Sequence, residues 1–104
     1  MLRIYPVILE TIRALGPTIQ RIQERDADLG RQMRRAASSI ALNVSEGSYS
    51  RGGNRRLRYH SALGSARETL ACLEVAAVLG YAEEVDARMR NRFDTILGTL
   101  MKVV

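Results

Sequence analysis

The sequence predicts an all-α protein, an antiparallel up-down-up-down four-helix bundle that forms one domain over residues 1–104. Three observations support this fold class. Apolar residues recur at steps of three and four along four segments, as on one face of a helix, and no strand-like alternation competes. Residues typical of helix ends separate the segments. The predicted connections are about two to six residues long, so neighbouring helices must run in opposite directions.

The first helix is predicted over about residues 4–24. Pro17 follows Gly16 inside it, and because proline removes an interior N–H and clashes one turn back, we expect a kink there. The apolar stripe stays in phase across this proline, which argues against a complete break. The stripe consists of Ile4, Ile8, Ile12, Leu15, Ile19 and Ile22.

The second helix is predicted over about residues 28–47. Either Asp26 or Asp28 can serve as its N-cap, and Gly47 suits the left-handed position that follows a helix. Leu42 points away from the core stripe of this helix, which hints at a further packing surface. The core stripe consists of Leu29, Met33, Ala36 or Ala37, Ile40 and Val44.

The third and fourth helices are predicted over about residues 54–79 and 83–103. The third is about 26 residues or roughly 39 Å long, and Gly80 ends it. Acidic residues occupy the expected first turn of the fourth helix, where negative charge meets the positive end of the helix dipole. The third stripe consists of Tyr59, Ala62 or Leu63, Ala66, Leu70, Leu73 and Ala77. The fourth consists of Val85, Met89, Phe93, Ile96, Leu100 and Val103.

A second stripe follows the opposite side of the third helix, and most of its members are apolar or glycine. We interpret it as an oligomer interface, because Gly64 lets another backbone approach closely. The alternative is an outer helix side that is merely rich in alanine and leucine. Within an interface, Glu68 needs a partner such as an arginine or Asn43. The stripe consists of Leu57, Ser61, Gly64, Glu68, Cys72, Val75 and Leu79.

Positive charge is concentrated in one part of the chain. The net charge is +5, and the segment from residue 31 to residue 58 alone holds seven arginines and one acid, Glu46. Clustered arginine is typical of phosphate-backbone binding, with Tyr49 and Tyr59 available to stack on bases. Salt bridges between subunits and a solvated surface are the alternatives. The predicted nucleic-acid-binding residues are Arg31, Arg34, Arg35, Arg51, Arg55, Arg56 and Arg58.

Signals for an enzyme are weak. The chain has one histidine and one cysteine, so neither an internal disulfide nor a metal site with two imidazoles is possible. We expect His60 to be a surface or nucleic-acid-facing residue rather than a general base, and Cys72 to be a small buried hydrophobe rather than a nucleophile. We therefore expect no catalytic activity, no metal and no cofactor. The absence of a secretory signal and of a long apolar run predicts a cytoplasmic protein.

A motif shared between the second and third helices resembles a known family. The run Ser39-Ile40-x-x-Asn43-Val44-x-Glu46-Gly47, followed by Ala62-Leu63-Gly64-Ser65 and Glu68, looks like the four-helix-bundle family associated with intervening sequences of 23S ribosomal RNA. The family commonly has proline where this chain has Ala41, and an apolar residue where it has Ser61. The likeness spans nearly the whole chain.

The resemblance implies a small non-enzymatic bundle that assembles as a ring-like homopentamer. The chain is also similar to the accessory protein of diversity-generating retroelements, a basic pentamer that works with a reverse transcriptase and its RNA. We therefore expect a homo-oligomer that binds nucleic acid, RNA above DNA, without chemistry. The alternative is an oligomeric scaffold for an acidic protein partner or a reverse transcriptase. The matching positions, interpreted as packing and interface residues, are Ser39, Asn43, Glu46, Gly47, Gly64, Ser65 and Glu68.

Overall fold

The protein is built from four helices, and their bounds lie close to the predicted ones. The computed structural model describes residues 2–104. The helices are α1 (Tyr5–Arg25), α2 (Ala27–Ser48), α3 (Gly52–Val78) and α4 (Ala87–Val103). No strand occurs among residues 2–104, so the all-α prediction is confirmed. The helices pack as a bundle that measures 42 × 26 × 19 Å.

The core consists of two apolar clusters, and each takes side chains from all four helices. One cluster includes the fully buried Ile8 and Ile96, and the other includes the fully buried Met33 and Phe93. Each such side chain contributes about 1.5–3 kcal/mol of transfer free energy when it leaves water. The predicted stripes of α1, α2 and α4 supply most of these residues, so the helical periodicity located the core correctly.

The connection between α1 and α2 is a single residue, Asp26. Its side chain accepts a hydrogen bond from the Leu29 N–H at 3.0 Å, which identifies Asp26 rather than Asp28 as the N-cap. The two helices approach each other closely just beyond this cap, because a Cβ atom on Gly30 would lie 2.6 Å from the Cα of Gln23. This glycine is therefore required by packing.

The predicted role of Gly47 at the end of α2 was wrong. The expected left-handed residue is instead helical and buried, and a Cβ atom there would lie 2.5 Å from Cε1 of Tyr59. The glycine serves close packing between α2 and α3, and not a change of chain direction. Positive φ values occur at Gly52 (55°) and Gly80 (79°) among the described residues. Gly80 follows the end of α3 as predicted.

The start of α4 was also predicted wrongly. Asp86 is the N-cap, with ψ at 168°, and its side chain accepts a hydrogen bond from the Met89 N–H at 2.8 Å. A capping residue has a non-helical backbone, so the helix cannot begin before it. Glu83 and Glu84 consequently lie in the connection and not in the first turn. In α1, by contrast, the helix continues through Pro17 as expected.

The buried face of α3 differs from its predicted stripe in the second half of the helix. Leu70 and Ala77 are half-buried, whereas Thr69 and Ala76 are fully buried. A threonine tolerates this burial because its hydroxyl donates to the Ser65 carbonyl at 2.8 Å. The buried side is also broad, since α2 and α4 both pack against α3.

Candidate nucleic-acid interface

Four of the seven predicted arginines lie in the turn between α2 and α3 or in the first two turns of α3. Here Arg55 donates to the carbonyl oxygens of Gly47 at 3.2 Å, Ser48 at 3.4 Å and Ser50 at 3.0 Å. The last carbonyls of a helix have no partner within the helix, and a cation there also matches the negative end of the helix dipole. Arg55 therefore closes the end of α2, a structural role that the charge count alone did not reveal.

The other six predicted arginines are exposed and divide into two groups. Arg31 forms an ion pair with Asp28, and Arg34 donates to Gln23 Oε1 at 3.2 Å. Such exposed contacts are worth little and are easily exchanged for another partner. The side chains of the remaining four make no hydrogen bond or ion pair within the part of the chain that the structure describes. They are Arg35, Arg51, Arg56 and Arg58.

Four of the arginines line one shallow groove along the outer side of α2, of about 580 Å³. Arg58 comes from α3, and the other three come from α2. Leu42, 65% exposed, gives the groove an apolar centre, and the side chains of Ser38 and Asn43 add polar groups. Glu46 is the one acid that lines it. The groove arginines are Arg31, Arg34, Arg35 and Arg58.

The two tyrosines predicted to stack on bases have opposite surroundings. Tyr49 is 85% exposed and stands at the end of α2. Tyr59 is 5% exposed and packs against Gly47, so it is not available to a base and that prediction was wrong. The small neighbour is the reason, because a glycine in α2 leaves room for the ring inside the bundle.

The outer side of α3 is exposed for most of its predicted length, but Cys72 is an exception. Its side chain is 5% exposed and belongs to the apolar core, which corrects its assignment to the outer stripe. Burial, and secondarily the carboxylate of Glu68, raise the pKa of the Cys72 thiol. The exposed members are Leu57, Ser61, Gly64, Glu68, Val75 and Leu79.

Three residues of the motif form a polar network between α2 and α3. The Ser39 hydroxyl oxygen accepts hydrogen bonds from Asn43 Nδ2 at 2.8 Å and from Ser65 Oγ at 2.9 Å. Asn43 also donates to the Ser39 carbonyl at 3.0 Å. Glu68 accepts from Gln32 Nε2 at 3.4 Å, a partner that sequence reasoning missed. Nothing in the sequence pattern singles out Gln32, since its helix register alone does not say what faces it.

Further features of residues 2–104 bear on the other expectations. His60 is exposed and lines a shallow depression with Leu57 and Val104. The described side chains include no cluster of three or more His, Cys, Asp or Glu residues placed to hold a metal ion. None of the four helices combines the length and the apolar character that a membrane crossing requires.

The fold and this surface together define an all-α bundle with an arginine-rich side. Comparison with known families identifies its class: residues 11–102 match the 23S rRNA-intervening sequence protein family, and the chain belongs to that family. Searches of curated proteins and of solved structures gave no significant match. Beyond the family, the function must therefore be argued from the residues themselves.

Proposed function

We propose that this chain is a non-enzymatic, homo-oligomeric protein of the cytoplasm that binds RNA through exposed arginines. The observation that carries the proposal is the set of exposed side chains without a protein partner, Arg35, Arg51, Arg56 and Arg58. No acid occurs in the chain between Glu46 and Glu68, the stretch that holds Arg51, Arg56 and Arg58. The family's name refers to an intervening sequence of 23S rRNA, which is compatible with contact to RNA.

The expected binding is electrostatic and largely independent of base sequence. Guanidinium groups match phosphate oxygens in shape and charge, and each neutralised phosphate releases counterions. Contacts to the phosphate backbone position a protein on a nucleic acid but do not read its sequence. Affinity should consequently fall steeply as salt is added.

The proposal includes an antiparallel arrangement of the helices. It is supported by contacts in which residue numbers rise on α2 as they fall on α3: Gln32 with Glu68, Ser39 with Ser65, and Gly47 with Tyr59.

The proposal also includes assembly of several copies. The exposed apolar side of α3 supports a contact between copies, with Leu57 and Leu79 at 63% and 51% exposure. A ring of copies would present several arginine surfaces to one RNA and strengthen binding by multivalency.

The decisive experiment measures binding to a labelled structured RNA and a matched DNA duplex over a salt series, with the mass of the protein determined on the same sample. Replacing Arg51, Arg56 and Arg58 together by glutamate should weaken binding strongly, and the slope of log affinity against log salt should fall by roughly three. This variant leaves Arg55 in place, so the end of α2 stays closed.

A matched control changes the charge by the same amount elsewhere. Arg3, Arg13 and Arg88 are exposed and lie outside the arginine-rich segment, so replacing them by glutamate should affect binding much less. Equal losses of affinity in both variants would show that binding depends on the net charge of the protein and not on these arginines. Intact oligomers that bind neither nucleic acid at low salt would refute the proposed function.

One observation favours a second candidate, an oligomeric scaffold for an acidic protein or a reverse transcriptase. The groove on α2 has an apolar centre at Leu42, which a phosphate backbone does not need but a helix with apolar and acidic side chains does. Co-purification of a protein in fixed stoichiometry without nucleic acid, lost on Leu42→Asp, would favour this candidate.

A further inference from the structure

The turn between α2 and α3 carries one aromatic ring that nothing in the described chain covers. Tyr49 is 85% exposed. The other three tyrosines have neighbours: Tyr59 is buried, Tyr5 is half-buried, and Tyr81 is half-buried with the Arg25 guanidinium 5.5 Å from its ring centre. Covering such a ring would be favourable, because an aromatic side chain can bury about 150–250 Å² in a contact.

The backbone beneath this ring is held on both sides. The Tyr49 N–H donates to the Glu46 carbonyl at 3.2 Å, and the Ser50 N–H donates to the Gly47 carbonyl at 3.1 Å. The Ser50 hydroxyl donates to the Glu46 carbonyl at 2.9 Å, and Arg55 donates to the Ser50 carbonyl. A ring on a fixed backbone loses little conformational entropy when it binds a partner, because only its side-chain torsions remain to be ordered.

The chain that follows the ring is positively charged, whereas Glu46 precedes it by three residues. Arg51 and Arg56 follow closely in the chain and are exposed, and no acid occurs between Glu46 and Glu68. Proteins that bind unpaired nucleic acid combine these two elements, arginines that follow the backbone and aromatic rings on which bases stack. A paired base in a duplex is stacked between its neighbours and offers no face to such a ring.

We infer that Tyr49 stacks on an unpaired base, so that the RNA bound by this surface is single-stranded or carries an unpaired loop or bulge. This inference rests on the proposed function and adds the class of RNA to it. Arginines then supply an attraction common to all nucleic acids, and Tyr49 supplies the preference for unpaired bases. The two contributions are separable by mutation.

The test compares an unstructured single-stranded RNA, with 2-aminopurine at one position, and a blunt RNA duplex of equal length. Tyr49→Ala should weaken binding of the single strand roughly tenfold and leave the duplex and the salt slope unchanged. Tyr49→Phe keeps the ring and should bind as the parent protein does. Tyr49→Leu, apolar but without a π face, should behave like the alanine variant. Stacking should also quench the 2-aminopurine fluorescence, and Tyr49→Ala should abolish that quenching.

Val78→Ala is the matched control, because Val78 is 87% exposed and lies at the opposite end of α3 from the turn. It should change neither affinity nor quenching. Equal weakening of both RNAs by Tyr49→Ala, or full affinity of Tyr49→Leu, would overturn the inference while leaving RNA binding intact. If the parent protein binds neither RNA at low salt, the proposed function fails and the inference fails with it.

Discussion

Four glycines distinguish two kinds of helix surface in this molecule. On α2, Gly30 and Gly47 lie where neighbouring helices meet, and a Cβ atom on either would overlap Gln23 or Tyr59. On the outer sides of α3 and α4, a Cβ atom on Gly64 or Gly98 would meet no atom within 4 Å from any other element of the described chain. Packing within one chain explains why residues 30 and 47 are glycine, but it does not explain the glycines at 64 and 98.

The two pairs differ in what offsets the free-energy cost of a glycine in a helix. Glycine inside a helix is about 1 kcal/mol less favourable than alanine, because its unfolded backbone is more mobile. At Gly30 and Gly47 the close approach of two helices offsets this cost. At Gly64 the described chain offers no such compensation, and the residue lies in the exposed apolar stripe that we propose as a contact between copies. Substitutions on the two surfaces should therefore have different effects.

The largest effect is expected at the inner surface. Gly30→Ala would place a methyl group against the main chain of Gln23, with the Cα only 2.6 Å away, and α1 and α2 would have to separate. Overpacking of this kind lowers the free energy of unfolding by about 1–3 kcal/mol, and we expect the upper end. Gly47→Ala should cost less, because it meets the ring of Tyr59 and not a backbone. Urea denaturation measures both, and a Gly30→Ala variant as stable as the parent protein would contradict the packing argument.

A smaller effect on stability, but a large one on assembly, is expected at the outer surface. Gly64→Arg has space in the single chain and should stabilise the helix by up to about 1 kcal/mol. It should nevertheless block the proposed contact between copies and lower the molar mass of the protein particle in solution. Gly98→Arg is the control, since its site is equally open but lies on α4. Light scattering decides, and an unchanged mass for Gly64→Arg would exclude this side of α3 as the interface.

The smallest effect concerns Cys72, which the outer stripe was wrongly expected to include. Its pKa lies above the ordinary 9.0, chiefly because of burial and then because of Glu68. The thiol of the unfolded chain ionises first, so this group's contribution to stability is present below pH 9.0 and is lost as the pH rises above it. Iodoacetamide should modify native Cys72 more slowly than the unfolded chain, and Cys72→Ala should remove this part of the pH dependence. Equal modification rates would contradict the burial.

Local rules explain where the sequence predictions succeeded. Helical periodicity located four helices and most of the core, because an amphipathic helix must bury its apolar side whatever it packs against. A cap at Asp26 or Asp28 and the stop at Gly80 follow from the backbone chemistry of helix ends, and the structure selects Asp26. Charge counting likewise located the arginine-rich segment without knowledge of the fold. The antiparallel order and the oligomer stay predictions.

Apart from the start of α4, which the local cap at Asp86 sets, the failures occurred where a residue's role depends on what lies opposite it. In the sequence, Gly47 looks like a glycine that ends a helix. Only its contact with the ring of Tyr59 shows that it serves packing between helices instead. The same contact removes Tyr59 from the candidate interface, where Tyr49 is exposed. Arg55 is exposed, yet it donates to the carbonyl groups of Gly47, Ser48 and Ser50, which the charge count did not reveal.

The helical class, the approximate helix bounds and the charge of the arginine-rich segment could be predicted from the sequence, because each depends on residues near one another in the chain. Only the fold shows which arginine side chains lack a partner, which tyrosine is exposed and which side of α3 holds Cys72. The physical reason is that exposure and hydrogen bonding are set by contacts between helices, and periodicity fixes the direction of a side chain without fixing its neighbour.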